Sequence, residues 1–388
     1  MPHARLVLLL LVPAAAAQAT HLVGPGGFPQ IRDALAVAAP GDVINVQAGT
    51  YAQFDVTVGV TIRALVPGTV NIAFDWAFAP PGCATTPTCP PTQGATRFLI
   101  LTGQSAHVVG LRFVATTPTI GPNIFPRVEV FGNRVTFDQC EFRSSAFKAL
   151  YISQAAVHLQ DCTVTGLNLN PATNGVYAVD GVVTVVGGSF AAPLAALYAP
   201  GGDGIRLDNC VFQGSGFQAS GSTAQWGLHG AAVRAIGGET WISDALLQGG
   251  GNTCGLVASG VLRASRITWA SACPAMNDAV LGVLRPSPLQ VGTTFTLDFR
   301  TDANGFAAVF ADTQLAWNSI GLTTPEPFLA LANVLTAGLY LAGPSGSALA
   351  SWPIPTNPSL VSQPFWFQGV TGLSLPLLTS PVAGGIVR

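Results

Sequence analysis

Charged residues make up only 9% of this 388-residue chain, against roughly 25% in an average soluble protein, and the formal net charge is -2. Without a run of lysine or arginine, the chain lacks the electrostatic footprint of a nucleic-acid or anionic-membrane binder. Its 49% hydrophobic content excludes disorder, and 44 glycines and 29 prolines announce frequent turns in a chain long enough for two domains.

Residues 1–19 read as a signal peptide. His3 and Arg5 precede the apolar run Leu6 to Val12, and the small residues end at Ala17-Gln18-Ala19. The mature chain is expected to begin near Thr20 and to be secreted, extracellular or at the cell surface. No later stretch reaches the ~20 uncharged apolar residues of a transmembrane segment. Cysteine usage agrees with export: Cys83 and Cys89 bracket the loop Ala79 to Gln93, and Cys254 and Cys273 flank one repeat unit, so both pairs are expected as disulfides.

The middle of the chain repeats at an irregular period of about 20 to 35 residues, the mark of a solenoid. Each unit alternates apolar residues, takes a short polar step and alternates again, as in Val135-x-Phe137-x-x-Cys140-x-Phe142, and alternation of that kind predicts strands. Stacking the units places Cys140, Cys162, Gly188 and Cys210 in one inward ladder, with the three cysteines as free, buried thiols. Gln139, Asp161, Asn209 and Asp244 precede that ladder as a polar turn stack, bonding local backbone rather than a metal.

The segment from Phe28 to Tyr51, Phe-Pro-Gln-Ile-Arg-Asp-Ala-Leu through Ala-Pro-Gly-Asp42 and Val43-Ile-Asn-Val46 to Gly49-Thr-Tyr51, resembles the opening of pectin-lyase-like right-handed parallel β-helix proteins. The resemblance implies an all-β fold over residues 20–283. A short helix carrying Ile31, Leu35 and Ala38 would cap the open end, which would otherwise pair with foreign strands. Beyond Cys273 no cysteine recurs, Pro286-Ser-Pro288 reads as a linker, and residues 284–388 are expected to form a small β-sandwich-like domain. The tail from Pro344 through Trp352-Pro-Ile-Pro355 to Gln368 is similar to C-terminal modules on secreted proteins of aquatic bacteria. Trp317, Trp352, Trp366 and Tyr340 are read there as core rather than as a glycan platform.

Enzymes on the resembled scaffold mostly cut acidic polysaccharides. A lyase needs a basic residue beside a uronate carboxylate and a cation to neutralise it, yet Lys148 is the only lysine and the acids fall one per coil. A hydrolase needs two facing carboxyl groups. Gly202-Asp203-Gly204 and Gly227-Leu-His229-Gly230 resemble elements of polygalacturonase-like enzymes, but the paired Asp-Asp and Arg-x-Lys of that family are missing. Asp203 therefore reads first as a turn residue and His229 as a satisfied loop histidine. The insertion Gln213 to His229 makes Asp203, Trp226, His229 and Arg234 the candidate substrate-binding group, because loops on a rigid scaffold concentrate binding residues. No catalytic residue, cofactor or metal is assigned; Asp298, Asp302, Asn304 and Asp312 are too spread for a calcium loop. The expected function is binding of extracellular carbohydrate, a polysaccharide or cell-surface glycan, or of surface material. Its alternatives are a polysaccharide lyase or glycoside hydrolase with a divergent site near Asp203 and His229, and a structural surface protein.

Overall fold

The computed structural model describes residues 18–388 apart from 74–96, 103–104, 115–126, 133, 145–147, 167–173, 193–201, 224–228, 252, 271–272, 274–275, 277, 286, 314–334 and 373–377. Three parallel sheets form a β-solenoid. The first has ten strands, from Thr20–Val23 to Val261–Ser265; the second has nine, from Gly49–Ala52 to Thr268–Trp269; the third has eight, from Phe54–Val56 to Leu256–Ala258. Each coil runs from the third sheet to the first and then the second, as Lys148–Ser153, Ala156–Gln160 and Thr163–Gly166 do. One apolar column fills the inside and includes Val135, Phe137, Phe142, Leu150 and Ile152. The helix Ile31–Leu35 closes the first coil with Ile31 and Ala34 buried, and Leu35 and Ala38 packed against the column.

Two of the three corners of a coil have the same chemistry, which is where the sequence reading slips. At the corner between the first and second sheets, the registers Glu141↔Thr163↔Ser189↔Gln218↔Leu246↔Thr268 align Cys140, Cys162, Gly188, Phe217 and Ala245. Cys210 is absent from that ladder. Its neighbour Val211 pairs with Val182 and Glu239 in the first sheet, so Cys210 and Asn209 turn the corner between the third sheet and the first. Each corner places a residue in left-handed backbone: Gln139, Asp161 and Asp244 at one, and Gln154, Asp180 and Asn209 at the other, all with φ between 48 and 54°. Asn and Asp tolerate this conformation better than most side chains. The polar turn stack is therefore double, and its side chains bond other side chains rather than local backbone: Asn209 Nδ2 donates to Asp180 Oδ1 at 2.9 Å, Arg266 Nε to Asp244 Oδ1 at 2.8 Å and Arg285 Nε to Asp161 Oδ2 at 2.9 Å. All three thiols are free and buried, and Cys254 and Cys273 form a disulfide with Cα atoms 5.1 Å apart. Cys83 and Cys89 lie outside the described residues.

Antiparallel pairing begins at Gly282–Leu284. A three-stranded and a five-stranded sheet enclose a separate cluster with Phe295, Phe299, Val309 and Phe367 buried. Tyr340 and Trp352 pack against this cluster, Trp352 stacking on Phe367 at 4.4 Å, as a core reading predicts. Trp366 departs from that reading. It is fully buried, yet it lies between His107, 5.7 Å away, and His158, 5.8 Å away, on the outer face of the first sheet. Trp317 lies outside the described residues.

That outer face is thus a docking surface. Gln160 accepts from the Gly384 N–H at 2.9 Å and donates to the Gly384 carbonyl; Gln213 donates to the Thr379 carbonyl at 2.7 Å; Ser215 Oγ accepts from Val283 N at 2.9 Å. Val186, an outward residue of the first sheet, belongs to the C-terminal hydrophobic cluster.

Candidate functional site

The segment singled out by its glycines proves to be built for close backbone packing. A Cβ on Gly230 would stand 1.8 Å from the Gly202 carbonyl oxygen, so no other residue fits there. Asp203 is 3% exposed. Its Oδ1 accepts from Ala231 N–H and its Oδ2 from Arg234 Nε, each at 2.8 Å, while its own N–H donates to Asn174 Oδ1 at 2.8 Å. A carboxylate with both oxygens engaged by fixed donors is a structural brace, not a poised acid or base. The ring of partly buried His229 faces the Gly251 backbone, since a Cβ there would meet Nε2 at 2.7 Å. The structure thus brings Asp203 and Arg234 together as an ion pair. Trp226 lies outside the described residues. The insertion is also shorter than the sequence suggests, because Val211–Ser215 and Gln218–Ser220 are strands of the solenoid.

A more chemically varied row of side chains lies on the outer face of the third sheet, apart from the first-sheet residues that hold the antiparallel sheets. The register Glu129↔Tyr151↔Tyr177↔Arg206↔Arg234 sets one outward residue from each of five successive coils in a row, with strands about 4.8 Å apart. Tyr151 and Tyr177 are half-buried, ring centroids 5.8 Å apart. Lys148 Nζ lies 3.9 Å from the Tyr177 centroid and 4.6 Å from that of Tyr151, and the Arg206 guanidinium lies 5.5 Å from Tyr177. Cations over aromatic faces gain from the ring quadrupole, and here the rings fix two flexible basic chains on a rigid floor.

The row is tied together by Asp208. Tyr177 Oη donates to it at 2.6 Å, and Arg206 Nε lies 3.3 Å from it. Burial and this carboxylate push the Tyr177 phenol up to about 12, so it remains a donor at neutral pH. The cluster offers ordered donors and acceptors on a stiff face.

Sequence reasoning missed this row because coil length varies. Glu141 to Thr163 is 22 residues, Thr163 to Ser189 is 26 and Ser189 to Gln218 is 29. The signal was present at the corners: Tyr151, Tyr177 and Arg206 each stand three residues before a left-handed turn residue, Gln154, Asp180 and Asn209.

No protein-family model matches the chain, and no curated protein matches it. Among solved structures it is similar to a mutant of AlyGC, an alginate lyase of the PL6 family, at 13% identity with a TM-score of 0.29. The match covers 66% of this chain and 41% of that one, so the chain spans less than half the length of the lyase. Among the described residues no group of three or more His, Cys, Asp or Glu is placed to hold a metal ion, and no helix is long and apolar enough to cross a membrane.

Proposed function

We propose that this protein binds extracellular carbohydrate along the outer face of its third sheet, in keeping with a pectin-lyase-like β-helix that serves as a binding scaffold. The observation that carries the reading is the placement of Lys148 and Arg206 on Tyr177, beside Tyr151, on neighbouring coils of one rigid sheet. Sugar hydroxyls suit fixed, partly exposed donors, and half-buried tyrosines are the side chains that combine apolar area with a polar tip. Cations braced by Asp208 and Asp203 also suit hydroxyl-rich ligands, because the pairs leave little net charge on the face. Export fits the same reading through the apolar run Leu6 to Val12 and the Cys254–Cys273 disulfide, which persists outside reducing compartments.

The test is retention of the mature protein in gels containing neutral or acidic polysaccharides, compared with Tyr177→Ala and Lys148→Gln. Retention by at least one polysaccharide that weakens about tenfold in either variant is the expected result, corresponding to the loss of about 1.4 kcal/mol. Retention that both variants share with the parent would place binding elsewhere. New sugar ends are measured in parallel, and their release by the parent protein would overturn the reading of a pure binder.

A further inference from the structure

The outer face of the first sheet holds titratable groups that the carbohydrate reading does not use. His158 is fully buried and its Nδ1 lies 2.8 Å from Thr184 Oγ1. Its Nε2 is buried without a hydrogen-bond partner, as are His107 Nδ1 and Trp366 Nε1. Trp366 wedges between the two imidazoles and is the largest fully buried side chain among the described residues. Around this wedge the charged groups are Asp138, Asp161, Arg285, Arg388, Arg63 and Asp312, the last buried and opposite Trp366 on the neighbouring strand. Arg285 bridges Asp138 and Asp161 and donates to the Gly384 carbonyl at 2.8 Å, and Arg388 Nη2 lies 3.8 Å from Asp138.

We propose that His158, with His107, forms an acid-sensitive latch: protonation of these imidazoles releases the C-terminal antiparallel sheets from the solenoid and bares the outer face of its first sheet. Burial outweighs the groups that favour the charged forms, Asp138 at His107 and Gln160 at His158. The nearest acids already serve Arg285, whose guanidinium repels an imidazolium. An ion in that wedge is therefore both desolvated and facing a like charge.

The linkage has the required sign. Burial, then Arg285, holds His158 down to about 3, and burial holds His107 down to about 4, from an ordinary 6.5. The released state takes up protons below pH 6.5 while the docked state does not, so docking weakens as pH falls from 6.5 toward those values. Asp161 acts in the opposite direction: burial raises its pKa, so the docked state accepts that proton more readily. The histidines and not this carboxylate must then supply the acid sensitivity.

Val186 gives a direct probe. It is fully buried beneath the docked sheets on the outer face, whereas Cys140 and Cys162 point into the solenoid core. In a full-length Val186→Cys protein, labelling by a dipyridyl disulfide reagent, which reacts in acid, is followed from pH 7 to pH 4 against the parent. The expected result is a labelling rate at the introduced thiol that rises about tenfold or more, while Cys140 and Cys162 stay unlabelled. Adding His107→Gln and His158→Gln should abolish the rise. Simultaneous labelling of the core thiols would signal global unfolding and overturn the proposal, as would an unchanged rise in the double substitution. Should that protein fail to fold, imidazole titration of the parent by NMR decides the matter: His158 must titrate in step with labelling, and titration near 6.5 without labelling overturns the latch.

Discussion

Arg285 Nη2 lies 3.0 Å from Asp138 Oδ1, with side-chain exposures of 2% and 4%, so an ion pair separated by 147 positions in the chain is sealed from water. The arginine sits immediately before Pro286, in the stretch whose sequence reads as a linker. Truncation to Arg285→Ala would strand Asp138 as a buried charge and should cost about 3–5 kcal/mol. The companion Arg285→Met, Asp138→Leu should recover most of that loss, because a shape-filling apolar pair removes both desolvation terms. Urea midpoints at pH 7, read with unchanged slopes, check both; equal losses in the two proteins would show that the pair itself was not the source.

Tyr177 should be the most reluctant phenol on the third sheet. With its pKa at about 12 in the folded protein against 10 ordinarily, an unfolded chain loses this proton first. Its contribution to stability is therefore complete below pH 10 and declines as pH rises from 10 toward 12. Ultraviolet titration should show phenolate absorbance lagging until the alkaline unfolding transition, and Tyr177→Phe should remove that lag. An unaltered titration in the variant would mean that Asp208 does not hold this hydroxyl.

The repeat, the cap helix and the free thiols were legible because each depends on local alternation or on a residue's own chemistry. Phe137, Cys140 and Phe142 announce inward strands wherever they fall. The corner that Cys210 occupies was not legible, since Asp161-Cys162 and Asn209-Cys210 follow strands in the same way and differ only in which sheet comes next. The tyrosine row was hidden by coils of unequal length, and the latch by distance: Trp366 reaches His158 through a fold that no local pattern encodes. Asp203 and Arg234 were found as residues, but composition alone could not show that they spend their charges on each other.

Gly188 is where the corner is least forgiving. Its φ is +85°, and a Cβ there would stand 2.3 Å from the Cys162 carbonyl oxygen. Gly188→Ala combines a disfavoured backbone region with a clash against fixed backbone, and should destabilise by at least about 1–3 kcal/mol. Gly41→Ala, at φ +93° with open space around the added atom, isolates the backbone cost and should be milder. Thermal midpoints of the two proteins give the comparison, and a Gly188→Ala protein no less stable than Gly41→Ala would mean that the corner relaxes.

The three thiols supply the last prediction. Burial raises the pKa of Cys162, helped by Cys140, and takes Cys210 to about 11. Since the thiolate is the reactive form, burial protects all three sulfurs, and the raised pKa values add to it at Cys162 and Cys210. Cys140 Sγ donates to the Val108 carbonyl at 3.3 Å and Cys162 Sγ to the Phe137 carbonyl at 3.4 Å, so each is also tied to the preceding coil. Iodoacetamide at pH 8 should leave Cys140, Cys162 and Cys210 unmodified in the native protein and alkylate all three in denaturant without reductant. Mass spectrometry of the peptides reads the result, and native alkylation of Cys162 would show that the column opens on the timescale of the reaction. Cys210, at the other corner and with its thiol donating at 3.4 Å to the Asp208 carbonyl of its own coil rather than to a carbonyl of the preceding one, should be the first of the three to yield as denaturant is raised.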